Sequence, residues 1–176
     1  PPSRFQFACS GCGVTCASAA PPYLCGTCEK ALALALDVAS LPGPLSPDTF
    51  HDRRRSLARY WEFLPFDDPQ DLVTLGEGGT PLHACGHLAA EVGIEALYAK
   101  NEGTNPTGTF KDRSAAVGVS RARQVKAEAV VIASDGNAGP ATAAYCACAG
   151  LPCYVLMPAY AYRERFAQAR MFTEHL

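Results

Sequence analysis

The sequence predicts an α/β fold in which a parallel sheet is covered by helices and preceded by a small cysteine module. From residue 71 onward, short apolar segments alternate with longer segments of helical periodicity, as in parallel strands joined by helices. Residues 1–30 instead carry two Cys-x-x-Cys pairs. The chain therefore divides into a cysteine module at 1–30, a helical and Pro-rich connector at 31–70, and an α/β segment at 71–176.

Composition narrows the function classes. Hydrophobic residues make up 48% and charged residues 18% of the chain, so a globular core is expected. The net charge of -2 offers no general attraction to nucleic acid or an anionic membrane. No segment approaches the roughly 18 apolar residues of a membrane span, and residues 1–8 lack the apolar run of a signal peptide. A cytoplasmic protein is expected.

The cysteine module has the ligand spacing of a zinc ribbon. Its pairs are Cys9-Ser-Gly-Cys12 and Cys25-Gly-Thr-Cys28, and two such turns place four thiolates around one tetrahedral metal. Such a site is closed by protein ligands and is therefore structural. Cys16 could replace Cys12 in another ligand set. A disulfide or redox pair, or loss of metal binding, are the alternatives.

The connector is predicted to be helical on either side of a Pro-rich linker at 41–48. Residues 31–40 are expected to form a short helix. Residues 51–64 show helical periodicity before Pro65, and the basic run Arg53-Arg54-Arg55 fits a solvated helix face.

The α/β segment is expected to alternate helices and strands. In order, we expect a helix at 87–92, a strand at 96–100, a helix at 111–126, a strand at 129–134, a helix at 137–149, a strand at 152–157 and a helix from about 163. The strand at 129–134 is nearly all apolar, which predicts burial on both faces.

Lys111 is the leading candidate for a functional side chain. It follows a loop rich in Gly, Pro, Thr and Asn and begins a helical segment. Thr109 as N-cap and Asp112 three residues later would form a capping box. The helix dipole disfavours a cation in this first turn, and a residue that breaks a local rule is often functional. Its amine could contact an anion or act as a covalent nucleophile.

The run Ser134-Asp-Gly-Asn-Ala-Gly139 is the second candidate. It follows a predicted strand and opens a helix, so it lies at the carboxyl end of a strand, where parallel sheets bind ligands. Backbone N–H groups at the helix start would bind an anion, and Asn137 adds a side-chain donor. The alternative is an ordinary strand–turn–helix connection with an Asx turn.

Three further features give weaker signals. The run Gly76-Glu-Gly-Gly-Thr-Pro-Leu82 could cradle an anion, although Gly-rich turns are common. The histidines lack a trustworthy ligand spacing and are expected at the surface or at helix ends: His51, His83, His87 and His175. The remaining cysteines lie in apolar sequence and are expected to be small buried thiols: Cys85, Cys146, Cys148 and Cys153.

The order of these motifs resembles the threonine synthases, which are pyridoxal-phosphate enzymes of the tryptophan-synthase β-like family (fold type II). Many of them also begin with a Cys-x-x-Cys…Cys-x-x-Cys segment. The most specific stretch is Lys100-Asn-Glu-Gly-Thr-Asn-Pro-Thr-Gly-Thr-Phe-Lys-Asp-Arg113. The others are Arg59-Tyr60, Leu64-Pro65, Leu75-Gly-Glu-Gly-Gly-Thr-Pro-Leu82 and Ser134-Asp-Gly-Asn-Ala-Gly139.

The resemblance implies a site and a reaction. Lys111 would form the internal aldimine with pyridoxal phosphate, and Asn137 would hydrogen-bond the ring 3-hydroxyl oxygen. O-phosphohomoserine would be converted to threonine and phosphate, with the cofactor ring as electron sink and the released lysine moving protons. Homodimers are usual in the family. The implied substrate-binding residues are Ser134, Asp135, Gly136, Asn137, Ala138 and Thr80.

Two departures from the family pattern keep alternatives open. The family's Gly-rich loop for the cofactor phosphate comes later than Leu176, so this chain is expected to be incomplete and to hold the cofactor poorly by itself. Asp135 stands where threonine synthases more often have Ser or Thr, and Asp-Gly-Asn resembles the diaminopropionate ammonia-lyases. The alternatives are an ammonia-lyase or dehydratase acting on diaminopropionate, serine or threonine, and a zinc-ribbon binding module on an inactive α/β domain.

Overall fold

The computed structural model describes residues 4–16, 23–41, 43–66 and 68–176. The predictions for the cysteine module, the linker and the connector also included positions 1–3, 17–22, 42 and 67, which lie outside the described residues. No helix in the described ranges combines the length and apolarity needed to cross a bilayer.

The cysteine module folds around a three-stranded antiparallel sheet of order β2-β1-β3. Its strands are β1 (Phe5–Cys9), β2 (Thr15–Cys16) and β3 (Leu32–Leu36). The predicted helix at 31–40 is therefore wrong. The run Leu-Ala-Leu-Ala-Leu pairs along its whole length with β1, and only Val38–Ser40 forms a 3-10 turn.

The connector consists of short 3-10 segments at Pro47–Phe50, Leu57–Phe63 and Pro69–Asp71. The predicted continuous helix at 51–64 is wrong, and Leu57–Phe63 itself is interrupted at Tyr60, whose φ and ψ are -114° and 35°.

The basic run of the connector does not form a helix face. Arg53 donates to both carboxylate oxygens of the buried Glu62, at 2.8 and 2.6 Å, and this pair ties Arg53 to the 3-10 segment at Leu57–Phe63. Farther along, the carbonyls of Leu64 and Phe66 accept hydrogen bonds from Arg4, which ties the connector to the cysteine module.

The α/β segment contains four helices and two pairs of strands within the described residues. The helices are α1 (Gly86–Val92), α2 (Lys111–Gln124), α3 (Ala138–Ala149) and α4 (Arg163–Arg170). Strands β4 (Leu82–Ala84) and β5 (Tyr98–Lys100) pair antiparallel, whereas β6 (Val130–Ala133) and β7 (Cys153–Leu156) pair parallel. The predicted parallel sheet is thus limited here to the β6–α3–β7 unit.

Small side chains let α3 pack closely on one face of β6 and β7, with α2 packed against α3. Ala116 and Ala141 are fully buried between them, and Val155 of β7 is also at 0% exposure. The prediction that residues 129–134 are buried on both faces is wrong, because the opposite face of this pair exposes Val131 and Leu156. Among the cysteines expected to be buried, Cys146 and Cys153 are buried, Cys85 is half-buried and Cys148 is exposed.

Candidate active site and metal centre

Lys111 is the first residue of α2 and is half-buried. Its Nζ lies 4.4 Å from the centroid of the Phe110 ring. Within the described residues, no carboxylate lies in ion-pair range of this amine. The lysine amine therefore lies over an aromatic face, without a carboxylate partner in the described residues.

The start of α2 is fixed by a different contact from the predicted capping box. The N-cap is Phe110 in helical conformation. The fully buried carboxylate of Asp112 accepts from the backbone N–H of Thr107 at 2.9 Å and from its hydroxyl at 2.7 Å. Asp112 thus connects the loop before Lys111 to the start of α2. Its carboxylate binds the donors of Thr107, not the backbone N–H of Thr109 that a capping box would use.

A polar network joins the Gly-rich loop at 76–82 to α2. Arg113 donates to Glu102 through Nε at 2.7 Å and Nη2 at 2.9 Å. The hydroxyl of Thr80 donates to Glu102 at 2.7 Å, and Asn105 accepts from the backbone N–H of Gly78 at 3.0 Å. The Arg113 guanidinium, followed by the Thr80 hydroxyl, lowers the pKa of Glu102 to about 2. This network places the predicted substrate residue Thr80 against a carboxylate.

A buried pair links the same loop to α3. The hydroxyl of Tyr145 donates to Glu77 Oε2 at 2.7 Å, and both side chains are fully buried. Burial, together with the Glu77 carboxylate, raises the pKa of Tyr145. The same carboxylate oxygen accepts from the hydroxyl of Thr74 at 3.0 Å and the backbone N–H of Leu75 at 3.1 Å, so Glu77 organises the loop from inside.

The second predicted loop lies between β6 and α3. The hydroxyl of Ser134 accepts from the backbone N–H of Gly136 at 3.2 Å. Asn137 is the N-cap and is half-buried, and its carbonyl accepts the first helical hydrogen bond, from Ala141, at 3.2 Å. The first N–H groups of α3 have no partner within the helix, so they can receive an anion. Asp135 is exposed.

Helix α3 starts unusually close to the sheet. A Cβ on Gly139 would lie 2.8 Å from Val155 Cγ1 and 2.9 Å from Met157 Cε. Glycine at this position therefore lets the start of α3 lie directly against β7.

One cavity lies beside the two helices that follow the predicted loops, although neither Lys111 nor Asn137 lines it. A space of about 270 Å³ lies between α2, α3 and β6, and its lining includes Ser114 and Ala138. Ser114 is on the first turn of α2, three residues after Lys111, and Ala138 directly follows Asn137. The helix starts that carry the candidate lysine and the candidate amide thus border one space.

Glu77 and Tyr145, which hold these loops in place, were not among the predicted site residues. Glu77 lies in a Gly-rich turn, whose composition indicates a flexible loop and not a buried carboxylate. Tyr145 lies in an Ala-rich helix, where the sequence does not indicate its partner. The available signal is the opposite charge of Glu102 and Arg113, which both lie within the Lys100–Arg113 stretch.

The four predicted metal ligands converge. The sulfurs of Cys9, Cys12, Cys25 and Cys28 all lie within 4.8 Å of one another, with 3.3 Å from Cys9 to Cys28 and 3.7 Å from Cys12 to Cys25. A tetrahedral zinc at about 2.3 Å from each sulfur separates the sulfurs by roughly 3.8 Å. The cluster has the size for one such ion. Cys16, on β2, is not part of it.

Backbone N–H groups favour the thiolate at Cys9 and Cys25, whereas the neighbouring cysteine sulfurs raise the pKa of Cys28 to about 12. The N–H groups of Cys12 and Gly11 lower the pKa of Cys9 to about 6, and those of Thr27 and Cys28 lower the pKa of Cys25. Metal binding requires the deprotonated sulfur. The donor set and its environment therefore fit zinc.

The family follows from a comparison with known proteins. The family model described as "Pyridoxal-phosphate dependent enzyme" matches residues 73–176, which is more than half of the chain. The chain belongs to this family of pyridoxal-phosphate-dependent enzymes.

The chain is also similar to individual proteins of known name. The threonine synthase of Methanocaldococcus jannaschii is 43% identical over 150 residues, which is 85% of this chain and 37% of that protein. The threonine synthase of Methanosarcina acetivorans is 38% identical over 155 residues, or 88% of this chain and 37% of that protein. The chain thus spans a little over a third of the length of these relatives.

Solved structures share the fold over a smaller region. A pyridoxal 5'-phosphate-dependent aspartate racemase aligns with a TM-score of 0.50 and 30% identity, covering 55% of this chain and 32% of that one. Maize serine racemase aligns with a TM-score of 0.51 and 26% identity, covering 55% of this chain and 29% of that one.

Proposed function

We propose that this chain is part of a threonine synthase, which converts O-phosphohomoserine and water into threonine and phosphate. The observation that carries the proposal is how far the similarity extends. An alignment of 155 among 176 residues must include residues 22–155. It therefore takes in the connector and the second cysteine pair as well as both candidate loops. The alignments with the racemase structures cover 55% of the chain, which is too little to require that the connector or the second cysteine pair be included.

The donor set at the two helix starts fits pyridoxal phosphate. Lys111 offers an amine without a carboxylate partner in the described residues, and Asn137 offers an amide at the N-cap of α3. Lys111 would hold the cofactor covalently, and Asn137 would hydrogen-bond the oxygen on its ring. When bound, pyridoxal phosphate supplies an electron sink for charge that develops on the substrate.

The chain's own groups account for the rest of the reaction. N–H groups at the start of α3 bind the substrate carboxylate, with Ser134 and Asn137 beside them. The amine of Lys111 takes protons from the α and β carbons of the substrate and delivers protons to the γ and α carbons. Phosphate leaves from the γ carbon, and the hydroxyl of threonine comes from water added at the β carbon.

The polar network keeps Lys111 in place for these proton transfers. Asp112 fixes the loop before it, and the Glu102–Arg113 pair fixes the turn after it against the Gly-rich loop. Because a misplacement of about 1 Å can cost roughly a hundredfold in rate, we assign these residues positioning roles.

The cysteine module is proposed to bind one structural zinc ion through Cys9, Cys12, Cys25 and Cys28. A segment of about 30 residues buries too little surface to fold alone, so the metal supplies folding free energy. Arg4 links the module to the connector, because its guanidinium donates hydrogen bonds to the carbonyls of Leu64 and Phe66.

The proposed activity is tested by phosphate release from O-phosphohomoserine, with threonine detected as the second product. Protein expressed from its full reading frame should release phosphate, and Lys111→Ala should lose this activity. Lys126→Ala is the matched control, since Lys126 is exposed beyond the end of α2. Absence of phosphate release from the wild type would overturn the proposal.

Asp135 favours one second candidate, an amino-acid ammonia-lyase. This carboxylate is exposed beside the proposed substrate loop, and no described residue pairs with it. A lyase that uses it as an acid or base would release ammonia from diaminopropionate or serine and lose this activity in Asp135→Ser. A threonine synthase would keep phosphate release in the same variant.

A further inference from the structure

A second cavity lies between the connector and the Gly-rich loop. It has a volume of about 660 Å³ and ten lining residues. Neither Lys111 nor any residue of the Ser134–Gly139 loop lines it. Every charged residue in its lining is a cation: Arg55, Arg59, Lys100 and Arg113.

Among the described residues, three of these four cations have no carboxylate partner. Arg113 is neutralised by Glu102. Within the described part of the chain, no carboxylate lies within ion-pair distance of Arg55, Arg59 or Lys100. The 176-residue chain carries a net charge of -2, so this positive cavity is a local feature.

Arg59 has a hydrogen-bond donor that no described residue satisfies. Its Nε is buried and has no hydrogen-bond partner, and its guanidinium lies 5.9 Å from the centroid of the Tyr60 ring. Arg53, six positions earlier, is satisfied by the two oxygens of Glu62. Buried donors are nearly always paired, and the planar guanidinium matches the oxygens of phosphate or carboxylate.

The cations are placed by tight backbone packing. Gly79 has a φ of +61°, and a Cβ there would lie 2.2 Å from the carbonyl oxygen of Arg55. The backbone N–H of Leu57 donates to the carbonyl of Glu77 at 2.8 Å, and Lys100 donates to the carbonyl of Thr80. The cavity wall is therefore built before any ligand arrives, which lowers the cost of binding.

We infer that this cavity binds the phosphate group of a small phosphate-bearing molecule. Three unpaired cations match a dianion better than the single charge of a carboxylate. The ligand is either inorganic phosphate or an organic phosphate monoester. This inference does not rest on the proposed activity, since Arg55, Arg59 and Lys100 have no role in the proposed reaction.

Calorimetric titration at low salt tests the inference with inorganic phosphate and with glycerol 3-phosphate, which has no amino group to react with the cofactor. The double variant Arg55→Gln/Lys100→Gln should bind at least tenfold more weakly than the wild type. Arg163→Gln, which removes one exposed positive charge at the start of α4, should bind within twofold of the wild type. Double-variant binding that stays within twofold would overturn the inference.

A measurement on the wild type guards against a variant that fails to fold. Acetylation of Lys100 by acetic anhydride is followed by mass spectrometry, with exposed Lys126 as internal reference. A bound phosphate group should slow acetylation of Lys100 at least fivefold and leave Lys126 unchanged. Equal protection by both probes identifies inorganic phosphate as the ligand, and protection by the ester alone identifies a monoester. Absence of protection by both overturns the inference.

Discussion

Substitution of Gly139 by alanine tests how closely α3 sits on the sheet. The added Cβ would lie 2.8 Å from Val155 Cγ1 and 2.9 Å from Met157 Cε, whereas carbon atoms prefer about 3.5–4.0 Å. The methyl group of Met157 can rotate away. Val155 is at 0% exposure, and its β-branched side chain has little rotameric freedom, so α3 or β7 must move.

Two opposing terms give the expected size of the effect. Overpacking a well-filled core costs about 1–3 kcal/mol. Replacing glycine by alanine in a helix returns roughly 0.5–1 kcal/mol. We therefore expect Gly139→Ala to lower the free energy of unfolding by about 1–2 kcal/mol, measured by urea denaturation followed by circular dichroism.

Gly118→Ala is the matched control. Gly118 lies inside α2, and a Cβ there meets no atom within 4 Å. It should raise the free energy of unfolding by about 0.5–1 kcal/mol. If Gly139→Ala were as stable as the wild type while Gly118→Ala behaved as expected, the close contact between α3 and β7 would be refuted.

Three further predictions concern the polar network and the metal. Because folding lowers the pKa of Glu102 from 4.5 to about 2, its ion pair stabilises the fold fully above about pH 5 and is lost as the pH falls toward 2. Glu102→Gln should cost about 1–2 kcal/mol at pH 7, allowing for partial solvent screening, and much less at pH 2.5, as measured by urea midpoints at both pH values. Tyr145→Phe removes a donor from the buried Glu77 carboxylate and should cost about 1–3 kcal/mol in urea unfolding. Cys9→Ser plus Cys28→Ser should abolish binding of roughly one zinc per chain, measured by elemental analysis; unchanged zinc content would exclude this ligand set.

Local patterns predicted the β6–α3–β7 unit well. Apolar strands, the Ala-rich helix and Gly150 after it are all short-range signals, and the left-handed φ of +69° at Gly150 agrees with its role at the helix end. Lys111 was predicted as a first-turn residue for the same reason, since the loop composition before it changes abruptly. The helix starts at that residue.

Long-range contacts account for the predictions that failed. The run Leu32–Leu36 consists of strong helix formers, and pairing with β1 nevertheless makes it a strand. Glu77 becomes a buried organising group only because Tyr145 reaches it from 68 positions away. The burial of β6 on one face also depends on where the helices pack. The pattern of apolar residues within the strand does not contain that information.

Chemical trapping of the cofactor tests the assignment of Lys111. Protein from the full reading frame is incubated with pyridoxal phosphate, reduced with borohydride, digested and mapped by mass spectrometry. We expect the pyridoxyl label on Lys111 and its loss in Lys111→Ala. A label confined to Lys100 or Lys126, or one that persists in the variant, would contradict the assignment.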